Sequence, residues 1–242
     1  MDNQNMSKKE LYDLNKASKK KTEDASEKRR NIKRVILWSS VAIVLAASVW
    51  GLIKLSDRPT DDNGNNTIIT TAVSADDNLA GNKDSKTILI EYSDFQCPAC
   101  KAYHPLVKQL IKEQGDKFLF VYRHFPLPQH AQAKPAAYAA EAAGLQGKFW
   151  DMHEKLFDGQ TNWAEKRNAE DIFTEYAKAL NMDMAKYAED ISSAAVKDKV
   201  NNQYKSGVAN FVNSTPTFFL NGKKIQPKSY EELVKLVTEA NG

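Results

Sequence analysis

Only two of the 242 residues are cysteines, which is too few for a scaffold held together by several disulfides or for a four-cysteine zinc site. The chain also lacks a strong charge of one sign, because 34 Lys and Arg nearly balance 31 Asp and Glu. This balance argues against a nucleic-acid partner. In contrast, a hydrophobic content of 42% is sufficient for a buried core, so a wholly disordered chain is also excluded.

The balanced total hides two segments of different charge. Residues 1–34 hold 11 basic and 6 acidic side chains, a net charge of +5. Residues 54–242 hold 23 basic and 25 acidic side chains, a net charge of −2. The length suits one compact domain preceded by a basic tail. A solvated topology signal is the simpler interpretation of this tail, and contact with anionic lipid is the alternative.

Between these segments lie 19 uncharged residues, from Val35 to Ile53. At about 1.5 Å per residue, a helix of this length spans roughly the hydrocarbon core of a bilayer. Five basic residues lie just before the span, whereas only Lys54 and Arg58 follow it closely, so the tail is expected in the cytoplasm. The sequence thus predicts a single-pass membrane protein with residues 54–242 outside the cytoplasm. A cleaved signal peptide competes with this prediction, because small residues at 46–48 would allow cleavage.

Composition and periodicity divide the rest of the chain. Residues 54–71 are rich in Asp, Asn and Thr and predict a flexible linker, although Thr67–Val73 has some β character. Residues 72–242 are predicted to form one domain. Its expected elements are strands at Thr87–Ser93 and Lys117–Phe125 around a helix at Pro98–Gln114, helices between about 131 and 210, a hairpin of Thr217–Leu220 and Lys223–Gln226, and a last helix from Tyr230. This order predicts an α/β layered fold with an inserted helical subdomain.

The two cysteines form the motif Cys97-Pro98-Ala99-Cys100 at the predicted junction of strand and helix. A spacing of three residues on the first helical turn brings the two sulfurs close enough to bond. Unpaired amides and the helix dipole stabilise an anion at the helix N-terminus, so Cys97 is predicted to be a low-pKa nucleophile. Cys100 lies one turn further in and is the expected resolving thiol.

Other interpretations of the motif are open. A purely structural disulfide is unfavourable, since a loop of two residues removes little chain entropy. The more serious alternative is a metal site, because Cys97, Cys100 and His104 share one helix face and could hold copper or zinc. A fourth ligand is missing from that pattern. The sequence predicts neither a metal nor a cofactor.

Glu91 interrupts the apolar strand TILIEYS six positions before Cys97. If it is buried beside the sulfurs, desolvation raises the pKa of its carboxyl, and it can relay a proton to or from Cys100. The alternative is an alternating strand with Glu91 in solvent. Burial is favoured because parallel strands covered on both faces do not alternate.

A further signal is Ser214-Thr215-Pro216-Thr217, directly before the strand TFFL. Cis peptide bonds occur almost only before proline. A cis bond before Pro216 would turn the Thr215 backbone towards Cys97, whereas an ordinary trans loop is the alternative.

Several stretches together resemble the DsbA-type thiol–disulfide oxidoreductases of the thioredoxin superfamily. They are ILIEYSDFQCPAC at 88–100, YRHFPLPQHAQA at 122–133, AAEAAGLQGKFWDMHEKLF at 139–157 and GVANFVNSTPTFFLNGK at 207–223. They occur in the family's order over roughly residues 72–242. The chain is most similar to the membrane-anchored forms of single-membrane bacteria.

The resemblance implies a thioredoxin-like fold with an inserted helical subdomain, preceded by one transmembrane helix. It implies that Cys97 exchanges with substrate, that Cys100 is its partner, and that Thr215 and Pro216 form a cis-proline loop that pairs with substrate backbone. Glu91 matches the family's buried acid. Ala99 is a departure, because the best-known strong oxidants have histidine there, and without it the Cys97 thiolate loses one source of stabilisation.

The function expected from this resemblance is disulfide introduction into reduced, unfolded exported proteins. The expected partners are those substrates and a membrane reoxidase of DsbB or VKOR type, with the anchor keeping the domain at the membrane. A reductase or isomerase of the same fold is the nearest alternative. Two other classes are a metal-binding module and an inert tethered binding protein.

Overall fold

The structure is a computed structural model that describes residues 72–241. Within these residues the elements, in chain order, are β1 (Asn78–Gly81), β2 (Ile88–Ser93), α1 (Pro98–Gln114), β3 (Leu119–His124), α2 (Ala133–Gly144), α3 (Phe149–Asp158), α4 (Gln160–Trp163), α5 (Ala169–Ala179), α6 (Met184–Asp190), α7 (Ala194–Ala209), β4 (Thr217–Leu220), β5 (Lys223–Ile225) and α8 (Tyr230–Asn241). Helices α2 to α7 lie between β3 and β4. The inserted helical subdomain expected from the sequence is confirmed.

The strands form one mixed sheet in the order β1-β3-β2-β4-β5. β2 and β3 are parallel, and every other neighbouring pair is antiparallel. β2 is therefore the central strand, and five of its six residues are buried. Burial on both faces explains why its sequence ILIEYS is a nearly continuous apolar run.

The two faces of the sheet bury separate clusters of side chains. On one face Leu89 packs with Phe120, Phe218 and residues of α1, α3 and α8. The other face carries Ile90 and Tyr92 of β2, and the end of α7 and the loop after it cover this face. Glu91 and Ser93 alternate with Ile90, so both belong to the first face, under α1.

Helix α7 lies close to the second face because Gly207 has no side chain. A Cβ atom at this position would lie 2.5 Å from the ring of Phe125, well inside van der Waals contact. Next to it, the Tyr204 ring stacks on Phe125 with 4.7 Å between centroids. The Tyr92 hydroxyl lies 2.8 Å from that of Ser206. The helical insertion is thus joined to the central strand.

Two elements have no counterpart among the sequence predictions. β1 has the sequence NLAG, which shows no β pattern, and it forms through backbone pairing with β3 at the sheet edge. α4 is a single turn of four residues. Of the candidate strand Thr67–Val73, residues 67–71 lie outside the described part of the chain, and residues 72 and 73 are not in a strand.

Across residues 72–241, no helix combines the length and the apolar character needed to cross a bilayer. The predicted tail at 1–34, the predicted span at 35–53 and the predicted linker at 54–71 lie outside the described residues.

Candidate active site

The two cysteines lie where β2 leads into α1, at the junction that the sequence predicts. Cys97 is the N-cap residue of α1, with extended backbone angles, and Pro98 occupies the first turn. Both cysteines are free thiols. Cys97 retains 7% of its accessible surface, whereas Cys100 has none. Only the first sulfur can therefore meet a protein substrate.

The surroundings of Cys97 favour its thiolate and lower the pKa of the thiol to about 5. The main cause is a hydrogen bond from the Cys100 thiol, which outweighs the opposing effect of burial. Thr215 and the backbone amides of Ala99 and Cys100 add to the stabilisation. The buried Thr215 hydroxyl bonds no other side chain or backbone group among the described residues, so it is free to donate to the thiolate. These interactions lower the pKa of the Cys97 thiol without a histidine at position 99.

Cys100 has the opposite environment. Burial raises the pKa of its thiol well above the ordinary value, and the proximity of the Cys97 thiolate and of Glu91 raises it further. Its sulfur accepts a 3.5 Å hydrogen bond from the backbone amide of Asp94. The two thiols therefore differ as a nucleophile and a resolving thiol should.

Glu91 is buried, with 4% of its surface exposed, so the solvent-facing alternative is wrong. Burial raises the pKa of its carboxyl to about 7, and negative charge on Cys97 contributes in the same direction. A weaker interaction with Ser93 opposes them. Glu91 raises the pKa of the Cys100 thiol, so the two groups lie within electrostatic reach of each other. An acid that titrates near neutral pH beside a buried thiol is suited to accept or deliver a proton.

The loop before β4 meets Cys97 from the other side. The Thr215–Pro216 peptide bond is cis. The Cys97 sulfur lies 3.4 Å from the backbone oxygen of Thr215, to which it donates a hydrogen bond when it is protonated. Residues about 120 positions apart in the chain therefore form the two sides of one site.

The surface immediately around Cys97 is uncharged, whereas the cavity next to it is bordered by Lys224 and Lys228 as well as by uncharged residues. Pro98 and Ala99 are exposed between the two buried cysteines. Beside Pro216 lies a cavity of about 280 Å³, which is lined by Tyr103, Phe218 and the end of β5 among other residues. An extended polypeptide could lie against this surface and reach Cys97.

Asp94 holds the turn between β2 and α1. One carboxylate oxygen accepts a 2.7 Å hydrogen bond from the amide of Gln96. The other accepts from the amide of Leu127 at 2.9 Å and lies 2.7 Å from Nδ1 of His130. Asp94 is thus fully used in joining the cysteine loop to the segment after β3, and it is not available as a second proton carrier.

The helical insertion also holds this loop, through a residue that the sequence analysis does not single out. The Gln160 side chain, on α4, donates to the backbone oxygens of Phe95 at 2.7 Å and of Cys97 at 3.0 Å. From the loop, Gln96 donates to the backbone oxygen of Ala164 at 2.7 Å. A single glutamine in a polar, helical sequence carries no signal of such a role.

The metal alternative gains no support from residues 72–241, where no three His, Cys, Asp or Glu side chains are arranged to hold an ion. His104 instead stacks on Phe157, with 5.0 Å between ring centroids, and its Nε2 lies 3.9 Å from Asp158. Burial lowers the pKa of the His104 imidazole. Its side chain belongs to the contact between α1 and α3.

Two further hydroxyls on the same face of the sheet are absent from the predicted site. Ser93 is fully buried two residues after Glu91, and Tyr122 is the direct neighbour of Glu91 on β3. Burial raises the pKa of the Tyr122 phenol well above its ordinary value. Alternation along β2 could have drawn attention to Ser93, but Tyr122 becomes visible only through strand register.

Comparison with known proteins places this geometry in a family. The family model described as thioredoxin matches residues 74–239. Among solved structures, alpha-DsbA1 of Wolbachia pipientis superposes with a TM-score of 0.63 at 19% identity, over 70% of this chain and 93% of that one. BdbD of Bacillus subtilis, in its oxidised form, superposes with a TM-score of 0.60 at 22% identity, over 67% of this chain and 91% of that one.

The curated proteins whose sequences resemble this chain are named as Na(+)/H(+) antiporters. A Na(+)/H(+) antiporter NhaA 1 of Mycolicibacterium vanbaalenii is 35% identical over 191 residues, which are 74% of this chain and 30% of the antiporter. A protein of the same name in Mycolicibacterium gilvum is 34% identical over 194 residues and is likewise covered to 30%. The chain thus spans less than a third of the length of these relatives, and antiport belongs to those whole proteins. The fold is similar to those of alpha-DsbA1 and BdbD. Because the thioredoxin model matches most of its length, the chain belongs to the thioredoxin family.

Proposed function

We propose that this protein is a thiol:disulfide oxidoreductase that introduces disulfides into exported proteins through Cys97 and Cys100. One observation carries the proposal: an accessible thiol of low pKa is paired with a buried thiol of high pKa at a helix N-terminus. That asymmetry is what ordered thiol–disulfide exchange requires.

The reaction begins with the Cys97–Cys100 disulfide. A substrate thiolate attacks the Cys97 sulfur, forms a mixed disulfide and releases Cys100 as a thiolate, which takes up a proton. A second substrate thiolate then attacks the substrate sulfur of the mixed disulfide, so that the substrate leaves oxidised and Cys97 leaves as a thiolate. Stabilisation of that thiolate favours the reduced enzyme and so drives the transfer towards the substrate.

Glu91 is the proposed source of the proton for Cys100. Its carboxyl titrates near neutral pH, so it is able to donate when Cys100 is released and to accept when Cys100 must be deprotonated for reoxidation. Asp94 is not suited to this task because three hydrogen bonds hold its carboxylate.

Substrate binding is assigned to the exposed surface around Cys97. Pro98 and Ala99 provide an uncharged contact, and Thr215 and Pro216 are proposed to pair with the backbone of an extended substrate. The cavity beside Pro216 offers the aromatic ring of Tyr103 for a substrate side chain. An extended, sequence-tolerant contact of this kind suits unfolded chains.

The proposed location is the outer side of the cell membrane, with the predicted helix at residues 35–53 as an anchor and a DsbB- or VKOR-type protein as reoxidase. The support is the charge asymmetry around the span. A membrane-impermeant thiol reagent, added to intact, briefly reduced cells that express the chain, should label Cys97. The Cys97→Ser variant is the control, and labelling that appears only after lysis would place the domain in the cytoplasm.

The reduction potential of the Cys97–Cys100 couple tests the direction of the reaction. We expect equilibration of the full chain with glutathione to give a value nearer roughly −120 mV than −270 mV, because the pKa of Cys97 is low. A value near −270 mV would contradict the oxidase and favour a reductase. The neutral, exposed Ala99 is the feature that keeps the reductase as the second candidate. Introducing histidine, in Ala99→His, should shift the potential in the oxidising direction.

A further inference from the structure

The buried hydroxyl of Ser93 lies beneath the two thiols without a hydrogen-bond partner among residues 72–241. Ser93 has no exposed surface. It is two residues from Glu91 on β2, and both side chains point to the face that α1 covers. The Tyr122 hydroxyl, on the neighbouring strand, is likewise buried and unpartnered within this part of the chain.

An unpaired buried hydroxyl is unfavourable, by about 1–3 kcal/mol for a typical group. Alanine would fill the same position without that cost, since most of the serine side chain would remain. Buried polar groups without a hydrogen-bond partner are rare in folded proteins, and a catalytic role is one of the reasons for which they occur. Packing alone therefore does not explain a serine at position 93.

Its neighbours indicate what the hydroxyl does. Ser93 lies on the same face of β2 as Glu91, and the backbone amide of the next residue, Asp94, donates a 3.5 Å hydrogen bond to the Cys100 sulfur. In this position the Ser93 hydroxyl lowers the pKa of the Glu91 carboxyl, the Cys100 thiol and the Tyr122 phenol. A hydroxyl can accept one proton and donate another at the same time. Among the three groups, Glu91 and Cys100 are the two that must exchange a proton in the reaction proposed above.

We propose that the Ser93 hydroxyl carries the proton between Glu91 and Cys100. This inference rests on the proposed function, because it concerns one step of that reaction. When Cys100 is released as a thiolate, Ser93 donates its hydroxyl proton to the sulfur and accepts the Glu91 carboxyl proton. The products are a Cys100 thiol, an intact Ser93 hydroxyl and a Glu91 carboxylate. During reoxidation the same transfer runs in reverse.

The groups that face Glu91 come from each element packed around it. Cys97 caps α1, Cys100 lies in its first turn, and Tyr122 lies on β3. On β4 the neighbour is Phe218, which does not titrate. Behind Tyr122, on α3, lies the ring of His153, 4.8 Å from it between centroids, and burial holds the pKa of that imidazole well below its ordinary value. His153 is therefore neutral near pH 7.

The test isolates the step in which Cys100 must lose a proton. Reduced full-length protein in detergent is mixed with oxidised glutathione, and the reaction is followed in two phases. The glutathione concentration is high enough that the rate of the second phase no longer depends on it. Cys97 first forms a mixed disulfide with glutathione. In the second phase Cys100 attacks the Cys97 sulfur, the bond to glutathione breaks, and glutathione leaves as a thiolate. The rate of this phase is measured from pH 5 to 9.

Ser93→Ala should slow the second phase by about 10- to 100-fold, within the usual range for assisted proton transfer. Glu91→Gln should slow it to a similar extent, and both variants should lose the bend that wild type shows at the Glu91 titration near pH 7. The double variant should be no slower than the slower single variant, because both substitutions interrupt one path. The first phase, which depends on Cys97, should change less than about twofold in Ser93→Ala.

Two measurements separate this role from packing. The thermal midpoint of Ser93→Ala should equal or exceed that of wild type, because the variant loses an unpaired buried hydroxyl. Tyr122→Phe, which removes the other unpaired hydroxyl, should leave the coupling between positions 91 and 93 intact. The proposal would be overturned if the double variant were slowed by the product of the two single-variant factors. It would also be overturned if the Ser93→Ala rate stayed within twofold of wild type at every pH. A wild-type protein that shows neither phase would instead overturn the proposed function.

Discussion

Cys97→Ser should lower the rate of thiol–disulfide exchange by at least about a thousandfold, because a serine oxygen cannot form the mixed disulfide through which the exchange passes. The hydrogen bonds at the helix N-terminus stay in place in this variant, so its fold should be retained. The measurement is oxidation of a reduced, unfolded protein by the full chain, with oxidised glutathione as the electron acceptor.

The matched control is Cys100→Ser. It retains the nucleophile and a hydrogen-bond donor beside it, and it lacks only the thiol that resolves the mixed disulfide. We expect this variant to attack at close to the wild-type rate and then to accumulate a covalent complex that dithiothreitol releases. Full activity of Cys97→Ser, or equal loss of the attack step in both variants, would contradict the roles assigned to the two cysteines.

The second large effect is on stability, and it depends on pH. The reduced protein should melt several degrees above the oxidised protein at pH 7, and the difference should shrink as the pH falls through about 5. The pKa of Cys97 is lowered in the folded dithiol from 9.0 to about 5, so ionisation of this thiol favours the folded state. That contribution is complete above pH 9, falls as the pH is lowered, and is lost below about 5. The oxidised protein has no such thiolate.

Other groups change this difference little. The raised pKa of Glu91 comes mainly from burial, which is present in both redox states. A disulfide that closes a loop of two residues adds little stability of its own through chain entropy. Melting curves of both redox forms between pH 4 and 8 test the prediction, with the Cys97→Ser, Cys100→Ser double variant as control. A redox difference that is constant across this range would show that the Cys97 thiolate is not its source.

Much of the fold follows from local patterns. α1 begins at Pro98 and ends before Gly115 as predicted, because proline suits the first turn and glycine ends a helix. β2 and β4 are recognisable as short, dense runs of apolar residues. β1 could not be predicted in this way, since its residues NLAG have no strand preference and extend only because the edge of β3 is open to them.

The candidate site likewise contains some residues that can be predicted from the sequence and others that cannot. The nucleophile, its partner and the buried acid can be proposed from spacing, from the position of the motif before a helix, and from one charged residue in an apolar strand. Asp94 and Gln160 are different, because their roles depend on partners that lie far away in the chain. Gln160, for example, contacts the backbone of Cys97 from a separate helix, 63 residues later.

The sequence by itself determined the chemistry of this protein: which atoms can exchange electrons, and which helix end stabilises the thiolate. Both depend on residues within a few positions of each other, where local geometry is set by the chain itself. Only the tertiary structure decided how deeply Glu91 and Cys100 are buried, how close Thr215 comes to Cys97, and that the Ser93 hydroxyl lacks a partner. These features arise from desolvation and from contacts between distant segments, and both exist only once the sheet and its helices have packed together.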